Sequence, residues 1–165
     1  GTDAACVDGE NQHGAIPRRE TNSWDPRLGG YRVNTRFGAE DQPAPDLVPL
    51  SLAADLSDCP AALTIRVDVA NRGARSVAAG TPVSFYEGDP DGEATLLGTV
   101  ALMRPLAPGG VERVELRVTR DFDESMPINV FAIVNDDGMG PGRDRECDTD
   151  NNRSPVLSTQ CLGLL

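Results

Sequence analysis

A run of alternating apolar and polar residues at positions 62–71 constrains the fold of this chain more than any other feature. Leu63, Ile65, Val67 and Val69 alternate there with threonine, arginine and aspartate. Such a period of two is typical of a β-strand that has one face buried and the other in water. The chain is therefore expected to form a sheet whose apolar face is covered by a second layer.

Further strand-like runs occur on both sides of this one. They occupy residues 46–54, 81–87, 94–102, 111–118, 127–134 and some part of 145–157. Turn-forming residues separate them, for example in Gly88-Asp-Pro-Asp-Gly92. The run at 127–134 is the most continuously apolar, which predicts a central strand. In the run at 111–118, arginine and glutamate alternate with apolar residues, which predicts a solvated face that can form salt bridges.

These strands and the lack of helical periodicity predict an all-β fold, namely a seven-stranded antiparallel immunoglobulin-like β-sandwich. We expect the sandwich to span residues 46–157. An extended, largely irregular N-terminal arm would precede it over residues 1–45, and a C-terminal tail would follow it over residues 158–165.

Several short motifs within the predicted sandwich resemble one family. They are Pro45-Asp-Leu-Val48, Val67-Asp-Val-Ala-Asn-Arg-Gly73, Gly80-Thr-Pro-Val-Ser-Phe-Tyr86, Leu97-Gly-Thr-Val100, Leu106-Ala-Pro-Gly109 and Glu146-Cys-Asp-Thr-Asp-Asn-Asn152. In this order they resemble the CARDB-type immunoglobulin-like modules of bacterial extracellular proteins. More loosely, the segment that starts at Asn11-Gln-His13 resembles the region next to FG-GAP or VCBS propeller repeats in large secreted proteins. The resemblance implies a structural or interaction module, either an accessory subunit or the terminal domain of a larger secreted or surface protein.

The charge of the chain argues against several classes of function. There are 26 acidic and 15 basic residues, so the net charge of −11 repels nucleic acid. Every basic residue is an arginine, which excludes a Schiff-base lysine, and the single histidine, His13, lies in the arm. No serine stands in a nucleophile motif, and no phosphate-binding loop is present. We therefore expect no enzyme and no nucleic-acid partner, and no transmembrane segment because no apolar run is long enough.

The four cysteines are spaced as disulfide cysteines rather than as zinc ligands, because no Cys-x-x-Cys pair occurs. Of the possible pairings, we favour Cys59 with Cys147, since each is expected at an end of the sandwich, one before the second strand and the other just before the last. Cys6 would then pair with Cys161 and join the arm to the tail. Disulfides predict an oxidising location, which is extracellular, on the cell surface or periplasmic.

A cluster of acidic residues near the end of the sandwich suits Ca²⁺, which binds hard oxygen ligands. The candidate ligands are Asp136, Asp137, Asp144, Asp148 and Asp150. Their spacing does not match an EF-hand. The alternative is that these aspartates accept hydrogen bonds from the backbone in Asx-turns and keep the surface charged. On that interpretation the domain needs no cofactor, and Ca²⁺ is not required for folding.

The arm contains Trp24, Tyr31 and Phe37, which are three of only seven aromatic residues in the chain. Such side chains are expected to pack on something, either on the chain's own sandwich or on another protein. We predict that the arm binds other protein subunits or domains. The alternatives are a carbohydrate-binding module, in which Trp24, Tyr31 and Tyr86 stack on sugar, and a calcium-dependent adhesion module.

Overall fold

The computed structural model describes residues 22–25, 30–33, 44–139, 144, 146 and 148–162. In chain order its strands are β1 (Asn22–Asp25), β2 (Gly30–Val33), β3 (Leu47–Asp55), β4 (Ala62–Asn71), β5 (Pro82–Glu87), β6 (Thr95–Ala101), β7 (Val111–Thr119), β8 (Ile128–Val134) and β9 (Leu157–Thr159).

Strands β3 to β9 form two antiparallel sheets that pack as a sandwich. One sheet has the order β3-β4-β7 and the other has the order β6-β5-β8-β9. The predicted seven-stranded antiparallel sandwich is therefore confirmed. The central position predicted for residues 127–134 is confirmed too, because β8 pairs with both β5 and β9.

The alternating residues of β4 form the middle of the core. Leu63, Ile65, Val67 and Val69 are all fully buried. Phe85 of β5 is the largest of the fully buried side chains and faces them from the other sheet. Apart from Phe122 and Cys161, the remaining core is aliphatic, as a chain with few aromatic residues requires.

The outer face of the three-stranded sheet carries the salt bridges that the alternation in β7 predicted. Arg113 lies opposite Asp68 across the β4–β7 pair, and its Nε lies 2.8 Å from the Oδ1 of Asp68. Arg66 contacts Asp55 on one side and Glu115 on the other. Exposed pairs of this kind contribute little to the stability of a fold, because water and salt screen their attraction. Their main effect is to keep this face solvated.

The structure corrects the predicted disulfide pairing. Cys59 is bonded to Cys161, with a Cα–Cα distance of 5.3 Å, so the prediction that Cys59 pairs with Cys147 was wrong. Cys59 lies in the turn between β3 and β4. Glu146, the residue before Cys147, instead contacts the amide of Leu47 at the opposite end of β3. The bond from Cys6 to Cys161 is excluded for the same reason, while Cys6 and Cys147 themselves lie outside the described residues.

The error about the disulfide follows from an error about the last strand. We expected that strand within residues 145–157, but β9 spans only Leu157–Thr159 and pairs with β8. Thr159 lies opposite Ile128, where β8 begins, so the chain reaches the Cys59 end of the sandwich just before Cys161. The predicted boundary between sandwich and tail at residue 157 therefore falls at the start of β9, and the fully buried Cys161 belongs to the sandwich.

The predicted irregular arm contains a β-hairpin that the sequence analysis missed. Strands β1 and β2 form a two-stranded antiparallel sheet in which Trp24 and Tyr31 are direct partners. Each strand has only four residues, too few to show a convincing alternation. Phe37, the third aromatic residue predicted to bind a partner, lies outside the described part of the chain.

Candidate functional site

The point where the arm joins the sandwich is held by backbone hydrogen bonds. The amide of Arg72 donates to the carbonyl of Asp46 at 2.7 Å, and the amide of Ala74 donates to the carbonyl of Ala44 at 3.0 Å. Gly73 lies between these bonds, where an added Cβ would be 2.4 Å from the carbonyl oxygen of Ala44. Only glycine permits such a close approach of two backbones. The arm therefore leaves the sandwich from a fixed position, which we call the arm root (residues 44–46).

Asn71 joins the arm root to two loops. Its Oδ1 accepts hydrogen bonds from the amides of Asp46 (3.2 Å) and Gly73 (3.0 Å). Its Nδ2 donates to the carbonyls of Arg75 (2.8 Å) and Leu106 (3.0 Å). Both donors and both acceptor positions of the amide are thus used in a fully buried residue. The sequence showed this asparagine only as a turn signal at the end of β4.

Glu146 holds the first residue of β3, which directly follows the arm root. Its Oε2 accepts a hydrogen bond from the amide of Leu47 at 2.7 Å. Its Oε1 accepts from the Nδ2 atoms of Asn135 and Asn152, both at 2.7 Å. The side chain of Asp46 lies nearby and accepts from Asn151 at 2.8 Å. A buried carboxylate thus ties the start of β3 to the end of β8 and to the segment before β9.

The pKa of Glu146 is raised to about 7, chiefly by burial and to a smaller extent by the neighbouring Asp46 carboxylate, although hydrogen bonds from Leu47, Asn135 and Asn152 oppose the shift. Water would stabilise the charged form, and burial removes that water. The buried carboxyl group of Glu146 therefore titrates near neutral pH.

We expect the stability of the domain to depend on pH through this residue. Because the pKa rises from its ordinary value of 4.5 in the unfolded chain to about 7 in the folded protein, the stabilisation is complete below the unfolded value and is lost as pH rises through 7. The free energy of unfolding should fall by about 2–3 kcal/mol between pH 5 and pH 8 on this account. Urea unfolding at both pH values measures this change. Glu146→Gln should flatten the dependence, whereas the exposed control Glu93→Gln should leave it unchanged; equal slopes in all three proteins would contradict this role.

The five predicted calcium ligands do not come together as one site. Three of them form Asx-turns, because the side chains of Asp136, Asp137 and Asp148 accept from amides two residues further on. Asp144 accepts from the hydroxyl of Thr81 at 2.8 Å. Asp150 is exposed, and its backbone amide donates a hydrogen bond to the carboxylate of Asp148. Among the residues that the structure describes, no group of three or more His, Cys, Asp or Glu side chains could hold a metal ion.

Chelation of calcium is expected to leave the folded domain unchanged, because the carboxylates of four of the five candidates already accept hydrogen bonds from the protein. Thermal unfolding with EDTA and with added Ca²⁺ measures this. The two midpoints should agree within about 2 °C, since a bound ion in excess would stabilise the folded state by several kcal/mol. A much lower midpoint in EDTA would show that the cluster does bind Ca²⁺.

Tyr86, the third residue of the carbohydrate alternative, is partly buried. Its hydroxyl donates to the Oδ2 of Asp136 at 2.5 Å, and burial together with this carboxylate raises the pKa of Tyr86 to about 12. The hydroxyl of Ser84 donates to the carbonyl of Asp136 at 2.7 Å. These bonds fold the turn after β8 onto the outer face of β5. Tyr86 therefore lies in the four-stranded sheet, whereas Trp24 and Tyr31 lie in the separate hairpin.

The described residues contain no helix that is long and apolar enough to cross a membrane.

Comparison with known proteins identifies the fold. No protein-family model matches the chain, and no curated protein sequence does. The crystal structure of the CARDB domain of a Pyrococcus furiosus protein, in complex with di-metal ions, is similar with a TM-score of 0.50 and 19% identity. The match covers 71% of this chain and 93% of that domain. The solution NMR structure of the same domain matches with a TM-score of 0.50 and 18% identity, over 73% of this chain and 98% of that one.

β-Glucosidase 3B from Thermotoga neapolitana matches more weakly, with a TM-score of 0.45 and 15% identity. The match covers 72% of this chain but only 16% of the enzyme, so it concerns a small part of that protein. The two CARDB structures, by contrast, match over nearly their whole length. The sandwich of this chain has the fold of CARDB domains, as the resemblance of its sequence motifs indicated.

Proposed function

We propose that this chain is a non-catalytic extracellular interaction module, in which the sandwich is a rigid support and the N-terminal arm binds another protein. The observation that carries the proposal is the β1–β2 hairpin, which places Trp24 directly opposite Tyr31. A two-stranded hairpin is at best marginally stable in water. Aromatic residues are also frequent among the side chains that dominate the binding energy of protein interfaces. The hairpin therefore has the composition of a segment that is stabilised by a partner.

The arrangement of the core supports the same proposal. The core cluster of the described chain runs from Leu47 to Cys161 and contains residues of both sheets, which bury their inner faces against each other. Asn71 holds the arm root, and Glu146 holds Leu47 directly after it, which fixes the place where the arm joins the sandwich. A rigid support with a tethered binding segment is one way to restrict where a partner can dock.

Two observations support the remaining parts of the proposal. The Cys59–Cys161 bond is typical of proteins in an oxidising compartment, which supports a secreted, surface or periplasmic location. Glu146, the carboxyl group with the largest pKa shift, is 5% exposed and surrounded by hydrogen-bond donors of the protein. A group so enclosed is suited to structure rather than to contact with a substrate, which supports a non-catalytic role.

Trp24 is the only tryptophan of the chain, so its fluorescence reports on the arm directly. In the isolated full chain at low concentration, we expect red-shifted emission and efficient acrylamide quenching, because the indole lacks its partner. If a second copy of the chain is the partner, quenching should decrease as concentration rises. An indole that is shielded at every concentration would contradict the proposal, because the arm would then pack on its own sandwich.

Matched variants make the result specific to the arm. Tyr31→Ala removes the residue paired with Trp24 and should weaken any association measured by sedimentation velocity. Met103→Ala removes a highly exposed apolar side chain of the sandwich and should leave association unchanged. Equal effects of the two substitutions would indicate non-specific contact through apolar surface rather than docking of the arm.

A further inference from the structure

Strand β3 connects the two ends of the sandwich. At one end, Leu47 pairs with Asn71 and follows directly on the arm root. At the other end, Asp55 pairs with Thr64, and the turn that contains Cys59 follows. A strand of this length spans about 30 Å. The arm therefore enters the domain at the end opposite to the disulfide.

The Cys59–Cys161 bond joins residues separated by 102 positions in the sequence. Strands β4 to β9 and most of the core lie inside this covalent loop. Only β3 and the arm lie outside it on the N-terminal side. A pull between the arm and the chain beyond Cys161 thus has a continuous covalent path along β3 and across the disulfide.

We propose that the domain is a tension-bearing connector, in which the Cys59–Cys161 bond carries a pull on the arm around the core. The chain of β4 to β9 is then not pulled out, because the covalent path runs along β3 and across the disulfide. This inference rests on the proposed function, since the arm transmits force only when it is attached to a partner. The hydrogen bonds from Asp46 to Asn71 and from Leu47 to Glu146 resist the pull where the arm enters the sandwich.

The proposal predicts how much length of chain a pull on the domain can extend. With the bond intact, the only chain between the arm root and the exit is the segment from Ala44 to Cys59, about 15 residues with a contour length of about 50 Å. Since β3 is already extended, stretching this segment gains only about 20 Å over its folded length. With the bond reduced, about 120 residues become available, and their contour length is about 400 Å. The two states differ by more than tenfold in releasable length.

Single-molecule pulling of the full chain, with handles at both termini, tests the proposal. Cys6→Ser and Cys147→Ser are introduced so that no other thiol can pair. Under oxidising conditions the total extension beyond that of the arm should stay within a few tens of ångströms, and a phosphine reductant should raise it by about 350 Å. Because total length is read rather than unfolding force, the result holds even if the reduced domain is already unfolded.

Cys161→Ser should behave like the reduced chain without any reductant. Leu162→Ser, an exposed neighbour just outside the covalent loop, should behave like the oxidised chain. Release of the full length by the oxidised chain would overturn the proposal, and so would a short extension that is unaffected by reduction. Because the handles replace the partner, a failure here is independent of whether Trp24 docks, which the fluorescence measurement decides.

Discussion

Cys161→Ser is expected to lower the free energy of unfolding by about 4–5 kcal/mol, because the lost bond closes a loop of roughly 100 residues. That bond joins Cys59 and Cys161, which are 102 positions apart. In the chain-entropy account, the bond stabilises the fold by restricting the unfolded chain. Cys161 is also fully buried, so an unpaired hydroxyl in its place adds a cost to the folded state. Urea unfolding of the two proteins under oxidising conditions measures the difference.

The control for this prediction is the same pair of proteins in reductant. Both then lack the bond, so most of the difference between them should disappear. Peptide mapping of a non-reduced digest identifies the pairing independently. A peptide that joins Cys59 to Cys147, or a variant that unfolds at the same urea concentration as the parent, would contradict the pairing of Cys59 with Cys161.

Asn71→Ala is expected to destabilise the domain by about 3–5 kcal/mol, because it leaves several buried backbone groups without a partner. The side chain satisfies the amides of Asp46 and Gly73 and the carbonyls of Arg75 and Leu106. Each unsatisfied buried group costs about 1–3 kcal/mol, and partial hydration after the substitution reduces the sum. The midpoint of urea unfolding gives the magnitude.

Asn129→Ala supplies the matched control, because Asn129 is an exposed asparagine of β8. It should change stability by no more than about 0.5 kcal/mol. In Asn71→Ala, hydrogen exchange should also accelerate at the amides of Leu47 and Arg72, which lie beside the arm root. A stability close to that of the control would mean that Asn71 does not hold the arm root.

The sandwich was predictable because its strands carry strong local signals. Leu63 to Val69 alternate in β4, and the structure buries each of these apolar residues completely. Residues 46–54 and 62–71 were predicted as a strand pair, and β3 and β4 occupy nearly the same positions. Side-chain period alone determines such elements, so tertiary contacts did not have to be known.

The disulfide pairing and the hydrogen bonds of Glu146 were not predictable from local sequence, because contacts between distant parts of the chain decide both. β9 has only three residues, too few for a period, so the place where Cys161 returns to Cys59 left no local signal. Glu146 lies in the sequence between the candidate calcium ligands Asp144 and Asp148 and carries no local signal of its own. Its role depends on an amide 99 positions away, that of Leu47. The hairpin strands β1 and β2 have only four residues each and were missed for the same reason.

The central claim is that the sandwich folds without the arm and that the arm serves binding. Thermal unfolding of the full chain and of a chain that begins at Ala44, followed by far-UV circular dichroism, tests it most directly. Both should unfold in one cooperative transition, with midpoints within about 2 °C of each other. A shortened chain that shows no cooperative transition, or whose midpoint falls by more than about 5 °C, would show that the arm is part of the domain's own core.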